Sequence, residues 1–268
     1  MSRLAAKFEE LAKTGRKALI PFITAGDPHP DFTVPLMHAM VEAGVDVIEL
    51  GVPFSDPMAD GPVIQRASER ALEHKMSLRK TLAIAAEFRK TDQKTPIVLM
   101  GYLNPIEAMT YEGFANAASR ADIDGVLTVD LPPEEAEAST ALLQAREIDP
   151  IFLLAPNSSD ERIQKMDAIG SGYIYYVSLK GVTGAGHLDV ADVAQKLQQI
   201  KANTRLPIGI GFGVKDAQTA KTIAAIGDGV VVGSALISKI EANLDDPKRA
   251  QQEIIALLTS MRLAMDSQ

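Results

Sequence analysis

The chain contains no cysteine. That excludes disulfides, a thiolate nucleophile and any cysteine-ligated metal. Tryptophan is missing too, and aromatic residues make up only 5% of the chain. No apolar run approaches the ~20 residues that cross a bilayer. Met1–Thr14 shows helical periodicity where a signal peptide would carry an uninterrupted apolar core. Lysine and arginine are scattered, 27 against 35 acidic residues for a net charge of −8. No basic stripe is present to displace counterions from nucleic acid or to lie on an anionic membrane. The four histidines (His29, His38, His74, His187) lack metal-ligand spacing, so no metal is expected. No serine stands in a G-x-S-x-G turn. Gly209-x-Gly211-x-Gly213 continues with Val214 and does not complete a dinucleotide fingerprint. These absences predict a soluble cytoplasmic protein with neither a nucleic-acid nor a membrane partner. Phosphate binding stays open, because backbone N–H groups at helix starts bind anions whatever the net charge.

What is present is a repeated unit: a short apolar run, a Gly/Pro/Asp loop, then a stretch of helical periodicity. The runs are 18–24, 47–51, 97–101, 125–129, 151–155, 173–178, 208–211 and 229–233. They are rich in Val, Ile and Leu and largely unalternating, as strands buried on both faces are. The expected helices cover 32–43, 78–89, 111–121, 133–146, 160–169, 191–200, 216–225 and 247–265. The length of 268 residues suits one domain of this kind. The pattern predicts a single-domain (β/α)8 TIM barrel over residues 1–268, with an extra N-terminal helix whose Leu4, Phe8 and Leu11 share a face. An open doubly wound sheet is the alternative. It places a glycine-rich fingerprint after the first strand, where this chain reads Ala25-Gly26-Asp27-Pro28.

In a barrel the chemistry lies at the C-terminal strand ends. In Val47-Ile48-Glu49-Leu50-Gly51, alternation sets Ile48 and Leu50 outward and turns Glu49 into the barrel. A carboxyl there is expensive to desolvate unless used, and burial raises its pKa toward proton-transfer values. The bland alternative is a glutamate hydrogen-bonded to a neighbour or wet at the rim. The loop that follows holds Asp56 and Asp60 among three prolines, with apolar Phe54 and Met58. Asp60 precedes Gly61-Pro62 and a helical stretch, so N-capping competes with catalysis. Phe54 and Met58 suggest a partner surface or a lid. Gly181–Gly186 suggests a mobile loop or an anion contact. Two adjacent glycine-rich turns, at Gly211–Gly213 and Gly233-Ser234, would converge on a phosphate.

Together these segments resemble the tryptophan synthase alpha subunit family. The resemblance is carried by Glu49-Leu50-Gly51-Val52-Pro53-Phe54-Ser55-Asp56-Pro57, then Ala59-Asp60-Gly61-Pro62, and by the other strand ends in order. These include Pro21–Pro28, Met100–Pro105, Asp130–Glu135, Gly181–Gly184, Gly211–Val214 and Gly233–Ala235. The resemblance implies retro-aldol cleavage of indole-3-glycerol phosphate to indole and glyceraldehyde 3-phosphate, without a cofactor. It implies Glu49 as the main acid–base residue and Asp60 as holder of the indole N–H. Phe22, Met100, Leu127, Tyr175 and Phe212 would line the indole pocket, with Tyr102 and Thr183 also at the substrate. Gly184, Gly213, Gly233 and Ser234 would hold the phosphate. It implies a tryptophan synthase beta subunit as partner in an alpha2beta2 complex, met by the Pro53–Met58 loop and the Asn104–Pro105 region. Met100 and Val129 are soft departures from the family pattern. A Schiff-base aldolase using Lys180 and a non-catalytic regulatory barrel are the rival readings.

Overall fold

The computed structural model describes residues 2–177, 190–211 and 213–267. Its parallel strands follow chain order around a closed barrel. They are β1 (Ala18–Thr24), β2 (Ile48–Gly51), β3 (Ile97–Gly101), β4 (Gly125–Thr128), β5 (Asp149–Leu154), β6 (Ile174–Tyr176), β7 (Ile208–Gly211) and β8 (Gly229–Val232), and β8 closes on β1. Helix α1 (Arg3–Lys13) precedes the barrel. Around it run α2 (Pro30–Glu42), α3 (Pro62–Glu73), α4 (Leu78–Arg89), α5 (Leu103–Glu107), α6 (Tyr111–Arg120) and α7 (Glu137–Gln144). They continue as α8 (Asp160–Ile169), α9 (Val190–Asn203), α10 (Ala217–Ala224), α11 (Ser234–Glu241) and α12 (Pro247–Asp266).

Alternation along the strands sorts the side chains into two cores. Ile48, Leu50, Ile97 and Leu99 pack outward with the helices. Ala18, Ile20, Val47, Val98, Leu127, Ile151, Tyr173 and Val231 fill the barrel. The apolar face of α1 joins that inner core, with Leu4, Phe8 and Leu11 buried beneath the strands. Each of these side chains contributes roughly 1.5–3 kcal/mol by leaving water. Gly125 makes the fit possible, since a Cβ there would stand 2.8 Å from the Leu4 Cδ1. Ser2 caps α1 by accepting from the Ala5 N–H and donates its own hydroxyl to Asp149 at 2.5 Å. Arg3 ties the helix to Asp122 and Asp124.

Aspartates recur just before the strands on this side. Asp46 accepts from the Leu19 N–H at 2.9 Å, Asp124 from the Ile97 N–H at 2.7 Å, and Asp228 from the Ile208 N–H at 3.1 Å. Each bond joins a strand to the one before it. Each carboxylate also faces cations: Arg262 at Asp46, Arg89 and Arg3 at Asp124, Lys17 and Lys201 at Asp228.

The expected elements stand with shifted bounds. The helix expected at 133–146 is confined to α7, because Pro133 and the next two residues form a turn closed by the Glu135 N–H on the Pro132 carbonyl. The run 173–178 contributes β6 over three residues, and Ser178 lies outside the described residues. The short α5 has no counterpart among the expected helices, because its Pro105 reads as a loop residue in sequence.

Candidate active site

Glu49 sits in the middle of β2, in register with Phe22 on β1 and Val98 on β3. It points inward, as alternation requires, and is fully buried. The Tyr173 hydroxyl donates to its Oε1, while Oε2 has no partner among the described residues. Burial pushes the Glu49 carboxyl up to about 8, against the Tyr173 hydrogen bond, which draws it down. A carboxyl of this kind holds its proton at neutral pH and can present it from the free oxygen.

Phe22 packs its ring tip onto Gly51, where any Cβ would approach it to 2.6 Å. Only glycine leaves this space, and the ring thereby becomes a wall beside Glu49. Leu127 is buried in the inner core, with Met100 and Tyr175 packed against it. Phe22 and Met100 line one small cavity. Sequence reasoning misses Tyr173, although it alternates with Tyr175 on the same inward face of the sixth run. That spacing is the available signal.

Asp60 is held by Tyr102. The Tyr102 hydroxyl donates to Asp60 Oδ2 at 3.1 Å and accepts from the Ala59 N–H at 3.1 Å. The Tyr102 ring stacks on Phe54, with centroids 5.3 Å apart. A small cavity touches Phe22, Met100, Asp60 and Tyr102 together. Capping does not consume Asp60: the N-cap of α3 is Gly61, with no side-chain bond. Asp60 is partly buried, and desolvation pushes it up to about 6, with the Tyr102 bond lowering it. It remains mostly ionised at neutral pH.

The β8 turn adjoins this chamber. A Cβ at Gly233 would lie 3.4 Å from the Phe22 Cβ, and Ser234 opens α11 as an exposed residue. Gly213 follows β7 with φ of 61°, a left-handed conformation that suits glycine. Thr183, Gly184 and Phe212 lie outside the described residues, as do Lys180 and the Gly181–Gly186 segment. Among the described residues no cluster of His, Asp or Glu could hold a metal ion. No helix there is long and apolar enough to cross a membrane.

Known proteins share this fold. A family model described as tryptophan synthase alpha chain matches residues 8–266. Over 267 residues the chain is 64% identical to the tryptophan synthase alpha chain of Methylococcus capsulatus, covering 100% of both. It is 58% identical to that of Thioalkalivibrio sulfidiphilus over 266 residues, covering 99% of this chain and 100% of the relative. The crystal structure of tryptophan synthase subunit alpha from Legionella pneumophila superposes with a TM-score of 0.94 at 46% identity, covering 100% of both chains. A chain of tryptophan synthase from M. tuberculosis in an aminoacrylate-bound form gives 0.87 at 33% identity, covering 99% of this chain and 100% of that one.

Proposed function

The chain belongs to the tryptophan synthase alpha chain family, and from that premise we propose how its own residues do the family's work. It is a lyase of L-tryptophan biosynthesis that cleaves indole-3-glycerol phosphate to indole and glyceraldehyde 3-phosphate. Residues 1–268 act as one catalytic domain, and the enzyme works in the cytoplasm.

Breaking this carbon–carbon bond needs somewhere for an electron pair to go. The indole ring takes it once C3 is protonated. Glu49, protonated in the resting site, gives its proton to C3 from the free Oε2. The Asp60 carboxylate accepts the ring N–H and stabilises the positive charge that develops on nitrogen. Glu49, now ionised, takes the proton of the glycerol hydroxyl on the adjoining carbon. The carbonyl forms, the bond to C3 breaks, and its electrons restore the aromatic ring. Glu49 ends protonated, as it began. Phe22, Met100, Leu127, Tyr175 and Phe212 hold the ring, with Tyr102 and Thr183 beside it. Gly184, Gly213, Gly233 and Ser234 bind the phosphate and fix the scissile bond between the two carboxyls.

The observation that carries this reading is the pair of unlike carboxyls. One is pushed up to about 8 and the other to about 6, so each is in the required state near pH 7. The value of kcat/KM should therefore be bell-shaped in pH, with an acidic limb from Asp60 and a basic limb from Glu49. The direct test is indole release by the purified chain. Glu49→Gln should bind substrate yet lose ~10²–10⁴-fold in turnover. Ordinary turnover by that variant rules the mechanism out.

The family implies a beta subunit as partner. The surface we assign to it is the Pro53–Met58 loop together with Asn104–Pro105. Met58 is 85% exposed, and a hollow of about 350 Å³ opens beside it between Phe54, Gln65 and Glu69. Apolar side chains on a loop tip beside a hollow suit a partner that fills it.

A further inference from the structure

Thr24 ends β1, two residues after Phe22 and therefore on the same inward face. It is only 2% exposed, and its hydroxyl has no hydrogen-bond partner among the described residues. A buried hydroxyl without a partner is destabilising, because it loses its bonds to water and gains none. Valine would fill the same space without that penalty, so the oxygen calls for a partner of its own.

The surroundings supply one. Thr24 lines a cavity of about 10 Å³ together with Asp60, Ser68 and Tyr102, walled by Phe22 and Ile64. That volume admits a single water, which needs at least two polar neighbours to be held. The hydroxyls of Thr24 and Ser68 and the Asp60 carboxylate meet the requirement. A carboxylate has about four acceptor positions. The described residues give that of Asp60 one hydrogen bond, from Tyr102.

We infer that the Thr24 hydroxyl, through one water bound in this cavity, forms the second support of the Asp60 carboxylate and makes Thr24 a positioning residue for the cleavage. The inference rests on the catalytic role proposed for Asp60. The support keeps a desolvated carboxylate ionised and leaves an oxygen free for the ring N–H. The titratable groups facing Asp60 are Tyr102, just after β3, and Tyr175 on β6. Both tyrosines are raised above their usual value, and Glu49 titrates near 8. From β1 and α3 come only uncharged side chains: Thr24, Phe22, Ile64 and Ser68. Among the described residues the acidic limb therefore belongs to Asp60.

The test is the pH profile of kcat/KM for indole release by the full chain. Thr24→Val keeps the side-chain shape and removes the hydroxyl. Without its water-borne donor, Asp60 holds its proton more tightly. The acidic limb should rise by about one pH unit, a loss of about fivefold at pH 6 and roughly none at pH 8. Thermal stability should be unchanged or higher. Thr24→Ser should return the limb to its original position. Thr24→Ala also lacks the hydroxyl and should move the limb the same way, which covers a valine variant that does not fold. An acidic limb that stays in place in both variants, or a loss equal at every pH, overturns the inference. The proposed function survives that outcome if the parent chain releases indole and Asp60→Asn abolishes the acidic limb.

Discussion

The two ends of the barrel both bury carboxylates and treat them in opposite ways. At the floor, Asp46 and Asp124 each receive a backbone N–H from the preceding strand and an arginine. At the mouth, among the described residues, Glu49 and Asp60 receive only phenolic hydroxyls, from Tyr173 and Tyr102. Burial pushes the Asp124 carboxyl up to about 6, as it does Asp60, but the floor acids are engaged by an arginine and a strand N–H, and their bonds hold adjacent strands in register. A carboxyl facing a phenol keeps its proton within reach of neutral pH. The same fold thus ties one set of acids to cations and strand backbones and leaves the other without a cation, open to chemistry.

Removing an arginine from the floor should produce the largest effect. Arg89→Leu strands the Asp124 charge beside its backbone partner and should destabilise the chain by about 3–5 kcal/mol in urea unfolding, with turnover per folded molecule unchanged. A mild effect would mean that floor and mouth are not distinct. Next comes the slope of stability against pH. Folded Glu49 keeps its proton to about 8, whereas the unfolded chain releases it near 4.5. Between those values the folded state binds the extra proton, so the contribution of Glu49 is present at low pH and is lost as pH rises toward 8. The slope approaches about 1.4 kcal/mol per pH unit, and Glu49→Gln should flatten it. Parallel slopes for parent and variant would remove Glu49 from the set left open to chemistry. The smallest effect belongs to Tyr173→Phe. Loss of the donor should let Glu49 hold its proton longer and move the basic limb of kcat/KM up by about one pH unit. A downward shift would mean that the Tyr173 hydroxyl does not favour the ionised form of Glu49.

The same contrast explains what could be read without coordinates. The strands were legible because each is buried on both faces and reads as a continuous apolar run. Their ends moved by a residue or two, since hydropathy does not mark the last ladder bond. The inward turn of Glu49 followed from alternation alone. The state of Asp60 did not, because the Tyr102 that buries and bonds it stands 42 residues away. The floor network was invisible for the same reason. Arg89 meets Asp124 across 35 residues and Arg262 meets Asp46 across 216, and no local pattern announces either pair. Tyr173 was within reach, two positions before Tyr175. Periodicity exposes which way a side chain points; it does not disclose what waits there.

Leu4, Phe8 and Leu11 plug the strand N-termini, and that stopper has a consequence for traffic. A chamber stoppered below is a blind alley. The route for substrate and for both fragments then lies at the opposite end of the barrel, where the strands end. An apolar fragment such as indole then leaves on the side where the Met58 side chain meets solvent.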